Sequence, residues 1–255
     1  MVSELMLQQT QVARVIDRLA RFIERFPTPA ACADASPGDV IDEWQGLGYN
    51  RRALNLHRAA TVITEQHDGV VPADLAALLH LPGIGPYTAR AIRVFAYECD
   101  DGVLDTNIGR VLARVSGRTL RPAEVQRLAD DLVPTGEGWA WNQALMEVGA
   151  LCCRPRPRCE ACPLRHECSW FAADLAAPDP ASASASVSKR QSAFDGSDRQ
   201  GRGRLVDALR VGPVQRRDLA RIMGWPDQPE RATAVAGTVV ADGLAVVVGD
   251  QFRLP

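Results

Sequence analysis

Lysine is nearly absent: of 29 basic residues only Lys189 is one, and the other 28 are arginines. No apolar run is long enough to cross a bilayer, and no charged-then-apolar leader opens the chain, so nothing speaks for a secreted or membrane protein. Net charge is only −2, which gives no overall pull toward nucleic acid; any such binding has to come from local features. Internal repeats are missing. So, from residue 1 to about 150, is the β-branched alternation that marks strands. What remains has the composition of a soluble globule, 46% hydrophobic and 24% charged. Its 255 residues leave room for one large domain, or a medium and a small one.

Helical patterning fills the first 150 residues. From Glu4 to Phe26, apolar residues at Leu5, Val12, Val15, Ile16, Leu19, Phe22, Ile23 and Phe26 follow the helical period, which predicts a helix ending at Pro27. Further helices are expected at 37–45 behind a Ser36 cap, and at 51–66, 74–80, 87–97, 106–115, 122–132 and 139–152. Residues 172–193 are rich in Ala, Ser and Pro and read as a flexible linker. From 194 to 255 the character changes. Helical patterns at 201–210, 215–223 and 228–242 precede a strand-like pair, 245–248 and 251–254, around Gly249–Asp250. Three helices and a terminal hairpin resemble a winged helix, a small α+β module after an all-α domain over 1–171.

Five of the seven cysteines crowd into GALCCRPRPRCEACPLRHEC. From Cys152 the spacing to Cys159, Cys162 and Cys168 is C-x6-C-x2-C-x5-C. Four thiolates gathered at a helix end suit a structural zinc or a [4Fe–4S] cluster; four free surface cysteines are the plainer alternative.

Between two helical patterns lies LPGIGPYTA, residues 81–89. Gly83 and Gly85 let the backbone turn tightly and leave amide N–H groups exposed where the next helix begins. Such a turn can hold a DNA phosphate without a basic side chain, although a lone GxG also serves as an ordinary helix–helix turn. Twenty residues after Gly85, Asp105 opens another helix in LDTN; on its own it reads as an N-cap.

Together, LPGIGPYT, LDTN and the cysteine loop resemble the helix-hairpin-helix DNA glycosylase superfamily that includes endonuclease III. Within it, SELMLQQTQV, WQGLGYNRRALNLHRAA and WNQALMEVGA look like adenine DNA glycosylases of the MutY type. The likeness covers residues 1–171. It implies an all-α helix-hairpin-helix glycosylase core whose loop carries a [4Fe–4S] cluster on Cys159, Cys162, Cys168 and a fourth thiolate. Loop spacing makes that fourth ligand Cys152; the helical register counted from Gly149 makes it Cys153.

Removing a purine from deoxyribose requires an acid to protonate the leaving base and an anion to stabilise the oxocarbenium ion, both tasks for carboxylates. The resemblance assigns the acid to Glu4 and the anion to Asp105, with Asn107 orienting Asp105 and Tyr87 beside the reacting sugar. Members that also cut the strand carry a lysine where this chain has Tyr87. The resemblance therefore implies a monofunctional glycosylase without a Schiff base. Gln8, Gln9 and Tyr49 match residues at the wedge beside an opposing 8-oxoguanine, Gln143 matches one in the adenine pocket, and Gly83 and Gly85 match the phosphate-holding hairpin. The implied partner is double-stranded DNA holding an adenine mispaired with 8-oxoguanine or guanine. The expected protein is a monomer at the cytoplasmic nucleoid, with no membrane contact.

Three departures stand out. Only three residues precede Glu4, where relatives carry a further helix and a pocket-lining segment, so either the true start lies upstream or part of the adenine pocket is missing. GLGYNRRA replaces the commoner GLGYYARA, which is expected to put Arg52 near the lesion. The 62 residues from 194 are too few for the 8-oxoguanine-reading domain of long relatives. Two other readings stay open: a thymine or uracil mismatch glycosylase, and a non-catalytic iron–sulfur DNA-binding protein.

Overall fold

The computed structural model describes residues 1–185 and 193–255. They form two compact units. Met1–Pro72, His80–Gly83 and the described part of Gln191–Pro255 make one; Ala73–Leu79 and the described part of Ile84–Arg190 make the other.

The first unit is assembled from both ends of the sequence. Its N-terminal half holds α1 (Val2–Leu7), α2 (Val12–Arg25), α3 (Pro29–Ala33), α4 (Pro37–Glu43) and α5 (Arg51–Gln66) around the fully buried Trp44. The single helix expected from Glu4 to Phe26 is broken at residues 8–11. Gln9 is left-handed, with φ of +54°, and Thr10 donates its hydroxyl to the Leu47 carbonyl at 3.2 Å. Apolar periodicity runs through this break, and Val12, Ile16 and Ile23, which carry part of it, are exposed, so the spacing reports neither the break nor burial here. Helix α3 is an addition: in PTPAA the second proline starts a helix, with Thr28 Oγ1 accepting from Ala31 N at 3.1 Å as its cap.

The second unit contains α6 (Leu75–His80, whose last residue belongs to the first), α7 (Pro86–Tyr97), α8 (Thr106–Ser116), α9 (Pro122–Asp131), α10 (Gly138–Leu151) and α11 (Ser169–Ala172). Helix α8 is central to it. Ile108, Val111, Leu112 and Ala113 are buried against Leu120, Val125, Ala129 and Leu145.

Part of the expected linker belongs to this unit. A short 3₁₀ turn at Pro180–Ala183 is buried at Pro180 and Ala181, and Asp179 pairs with the buried Arg114 at 2.6 Å. Small residues can seal a core edge as large ones do, and composition alone does not distinguish that from a tether. The rest of the expected linker, 186–192, lies outside the described residues, Lys189 with it.

The C-terminal segment returns to the first unit as α12 (Asp198–Val211), α13 (Leu219–Met223) and α14 (Pro229–Ala241), with β1 (Val214–Gln215), β2 (Val246–Val248) and β3 (Gln251–Arg253) in the order β1-β3-β2. Both neighbours run antiparallel to β3, with Val214 and Val247 facing Phe252 across the two ladders. Strands β2 and β3 are the expected pair. Two-residue β1 is too short to show alternation in sequence. The chain end is bound within this unit: Gly38 N donates to the Pro255 carbonyl at 2.9 Å.

Candidate active site and cysteine cavity

In the second unit Asp105 is the N-cap of α8, so the plain reading of this residue holds: Oδ1 accepts from Ile108 N at 2.7 Å. Its second oxygen is used differently. Asn107 Nδ2 donates to Oδ2 at 3.1 Å, and Arg110 Nη2 donates to Asn107 Oδ1 at 2.8 Å. Burial pushes the Asp105 carboxyl above the ordinary carboxylate value, while the hydrogen bonds from Ile108 and Asn107 oppose the rise. A carboxylate cornered in this way is oriented and poised. That is more than a cap needs.

Sequence reasoning missed the supports behind it. Arg110, only 5% exposed, also donates to the Gly149 carbonyl at 2.7 Å and the Cys153 carbonyl at 2.5 Å. Gly149 has to be glycine, because a Cβ there would lie 2.5 Å from Cβ of Asn107. Buried Asn142 of α10 accepts from Val103 N at 2.7 Å and donates to Asp101 O at 2.9 Å, which fixes the strand of chain leading into Asp105. Arginines on an interior helix face look like solvated charge in sequence. The missing signal was that α8 has no solvent-facing side for them.

Tyr87, in the first turn of α7, is half-buried against the cluster of Ala91, Val94 and Val103. Gly83 is left-handed (φ +78°), and a Cβ there would meet Asn55 at 2.6 Å. Gly85 caps α7 in an extended conformation open to any residue, with nothing near its missing Cβ. The tight turn therefore rests on Gly83 alone. On α10, Gln143 donates its amide to Glu147 Oε1 at 3.0 Å.

Glu4 lies in the first unit, half-buried in the first turn of α1. The end of that helix is held by Arg52, which donates to the carbonyls of Leu5 (2.6 Å), Met6 (3.1 Å) and Gln8 (2.6 Å), and on its other side to those of Leu47 and Gly48 (both 3.0 Å). Arg52, expected near the lesion, lines a cleft with Gln8, Gln9 and Tyr49. Its guanidinium donates into a cage of carbonyls, because four carbonyls at a helix end lack partners within the helix. Burial lowers its pKa to about 10. Its ring neighbours are Trp44 and Tyr49. Tyr49 itself is left-handed (φ +47°) and 46% exposed. With Gln8 and Gln9 it lines that same cleft, whose other wall includes Phe194 and Arg199.

All five clustered cysteines line one cavity in the second unit, among Val111, Leu164 and Phe171. The Cys159 and Cys162 thiols are pushed up by burial and by neighbouring thiols. Cys153 Sγ accepts from Arg114 Nη1 at 3.5 Å, whereas Cys152 Sγ donates to the Ala161 carbonyl at 3.4 Å. Soft donors around one apolar cavity, beside a buried cation, are the chemistry an anionic metal–thiolate centre needs. Among the described residues no three metal-binding side chains stand at ligating geometry.

A hairpin lies between α6 and α7, and α8 after them is capped by an oriented aspartate. Residues 2–135 match the model of the HhH-GPD superfamily of base excision DNA repair proteins, and the chain belongs to that superfamily. Over its whole length it is 42% identical to an adenine DNA glycosylase of Mycolicibacterium smegmatis, covering 86% of that protein. It is 43% identical to the adenine DNA glycosylase of Mycobacterium tuberculosis strain H37Rv, covering 84%, and 41% identical over 66% of this chain and 32% of the protein to that of Homo sapiens. Among solved structures, a thermostable thymine-DNA glycosylase is similar at a TM-score of 0.62 and 27% identity over 68% of this chain and 82% of that one. Endonuclease III in a non-covalent DNA complex shares the fold, at TM-score 0.61 and 23% identity over 68% of this chain and 83% of that one.

Proposed function

We propose that the protein is a monofunctional adenine DNA glycosylase of base excision repair, which hydrolyses the N-glycosidic bond of an adenine mispaired with 8-oxoguanine or guanine. The observation that carries this reading is Asp105, whose second oxygen is held by Asn107, itself backed by Arg110. An anion so fixed stabilises the positive charge that builds on the sugar as the base departs, and it does so without reorganising at that moment. Glu4 delivers the proton that lets adenine leave as a neutral base, and water adds its hydroxyl to the sugar carbon. Tyr87 stands beside the sugar where a strand-cutting enzyme would have lysine, so the product is an intact strand with an abasic site. Gln143 belongs to the adenine pocket.

DNA is held by the amides around Gly83 and Gly85, with a phosphate taking the open space beside Gly85. The cleft of Gln8, Gln9 and Tyr49 takes the strand opposite the adenine, and the winged-helix-like segment adds Phe194 and Arg199 to its wall. Cys159, Cys162, Cys168 and one of Cys152 or Cys153 would hold a [4Fe–4S] cluster, which when bound ties the loop covalently to the end of α10. No described helix is long and apolar enough to cross a membrane. The protein acts as a monomer on nucleoid DNA in the cytoplasm.

Labelled duplexes with A:8-oxoguanine, A:G, T:G and U:G, each split with and without alkali, test the reading. Cleavage of the adenine strand only after alkali is expected. Excision confined to T:G or U:G would replace it with the thymine or uracil reading, and cutting without alkali would refute the monofunctional mechanism.

A further inference from the structure

An asparagine that starts a helix ordinarily accepts a backbone N–H of the first turn with its side chain. Asn50 starts α5 and makes no such bond. Its Oδ1 accepts from Arg210 Nη2 of α12 at 3.0 Å, a residue 160 positions away. Arg210 donates also to the Ile41 carbonyl, from Nη2 at 2.9 Å and Nε at 3.3 Å, and is paired with Asp207. Its side chain is only 4% exposed, which is costly for a guanidinium unless every bond is used. One residue further on, Arg51 pairs with Asp242 at 3.4 Å, and Asp242 pairs also with Arg202 of α12 at 2.5 Å. Both residues that follow Tyr49 are thus gripped by the C-terminal segment. The residue before it, Gly48, is fixed through its carbonyl by Trp44 Nε1 (3.2 Å) and Arg52.

Left-handed backbone at a non-glycine residue is strained and persists only where its surroundings over-determine it. Tyr49, at φ of +47°, is such a residue. The same contacts give the asparagine in GLGYNRRA a role, since its Oδ1 is one of the acceptors of Arg210.

We propose that Arg210 is a positioning residue for opposite-base recognition, holding Tyr49 in place through Asn50, so that the C-terminal segment acts on substrate choice from behind the cleft. The role of Tyr49 in this rests on the function proposed above; the holding of the loop does not.

Two measurements separate them. Hydrogen exchange of amides 47–51 reads the loop directly. Arg210→Ala and Asn50→Ala should each speed it, the double variant should be no faster than Arg210→Ala alone, and Asn50→Asp, which keeps the acceptor, should restore protection. Unchanged exchange in folded Arg210→Ala or Asn50→Ala would overturn the proposal. Single-turnover excision with A:8-oxoguanine and A:G reads recognition. The ratio of the two rates should fall about five-fold in each single variant, non-additively in the double, and recover in Asn50→Asp. A ratio that stays constant while both rates drop would make Arg210 merely structural and overturn it too. A wild-type protein that excises no adenine, yet shows the exchange pattern, would defeat the proposed function and leave the loop-holding role standing.

Discussion

Asn107 stands between opposite charges, its amide nitrogen 3.1 Å from Asp105 Oδ2 and its amide oxygen 2.8 Å from Arg110 Nη2. The asparagine cannot rotate without losing both bonds, so the carboxylate it serves inherits the rigidity of a buried arginine.

Asp105→Asn should abolish base excision, by about 10²-fold or more, while leaving affinity for a duplex with an uncleavable adenine analogue nearly intact. The helix cap survives this change because an asparagine oxygen still accepts from Ile108. Loss of binding and turnover in equal measure would reduce Asp105 to a structural role.

The excision rate should fall on acidification with a midpoint above the ordinary carboxylate value, since burial raises the Asp105 pKa and only the ionised form stabilises the sugar cation. Asn107→Ala removes a bond that favours the charged form and should move that midpoint further up. A single-turnover pH profile checks both, and a midpoint that Asn107→Ala shifts down would contradict the assigned hydrogen bond.

Anaerobically purified protein should be brown and carry about four irons per chain. Cys152→Ser and Cys153→Ser, assayed separately for iron, should differ, with only one emptying the site. Zinc in place of iron would end the cluster assignment, as would full iron in both variants together with full iron in Cys162→Ser.

Asp179→Asn should destabilise the protein by roughly 1–3 kcal/mol and expose residues 172–185 to protease, because it weakens the pair with a guanidinium that is 2% exposed. Burial raises the Asp179 pKa, but the hydrogen bond and charge of Arg114 outweigh it and hold the carboxyl below its usual value. Its contribution is therefore present above the unfolded-state pKa and lost as pH falls through the lowered one. Thermal unfolding at pH 7, where the pair is ionised, is the direct measurement. A segment that stays protected in the variant would mean that apolar burial at Ala181 alone holds it.

Much of this was legible in the order of the residues. Asp105 and Asn107 could be named because LDTN resembles the superfamily's motif, and the hairpin because glycine and proline punctuate it. Helices α5, α7 and α10 follow their apolar spacing closely. What could not be read depends on partners distant in sequence. Arg52 could be placed near the lesion from GLGYNRRA, but only folding reveals the five carbonyls it serves. Arg110 and Arg114 were two among 28 arginines, with nothing local to mark them as interior. The stretch around Asp179 read as a tether because its residues are small. The break at Gln9 is set by Leu47 and Arg52, which no window around residue 9 contains.

The bond from Gly38 to Pro255 has a consequence for synthesis. A ribosome releases the second unit's sequence, from residue 73 to 190, while the first unit still lacks residues 191–255. The segment bearing Glu4 therefore emerges before the second unit yet completes its own core after it, once the residues up to Pro255 are free. Its partners are separated by most of the chain, and loop closure over that distance is slow. Nascent chains stalled near residue 190 should present one protease-resistant unit and an unfinished one, the younger half of the sequence having folded ahead of the older.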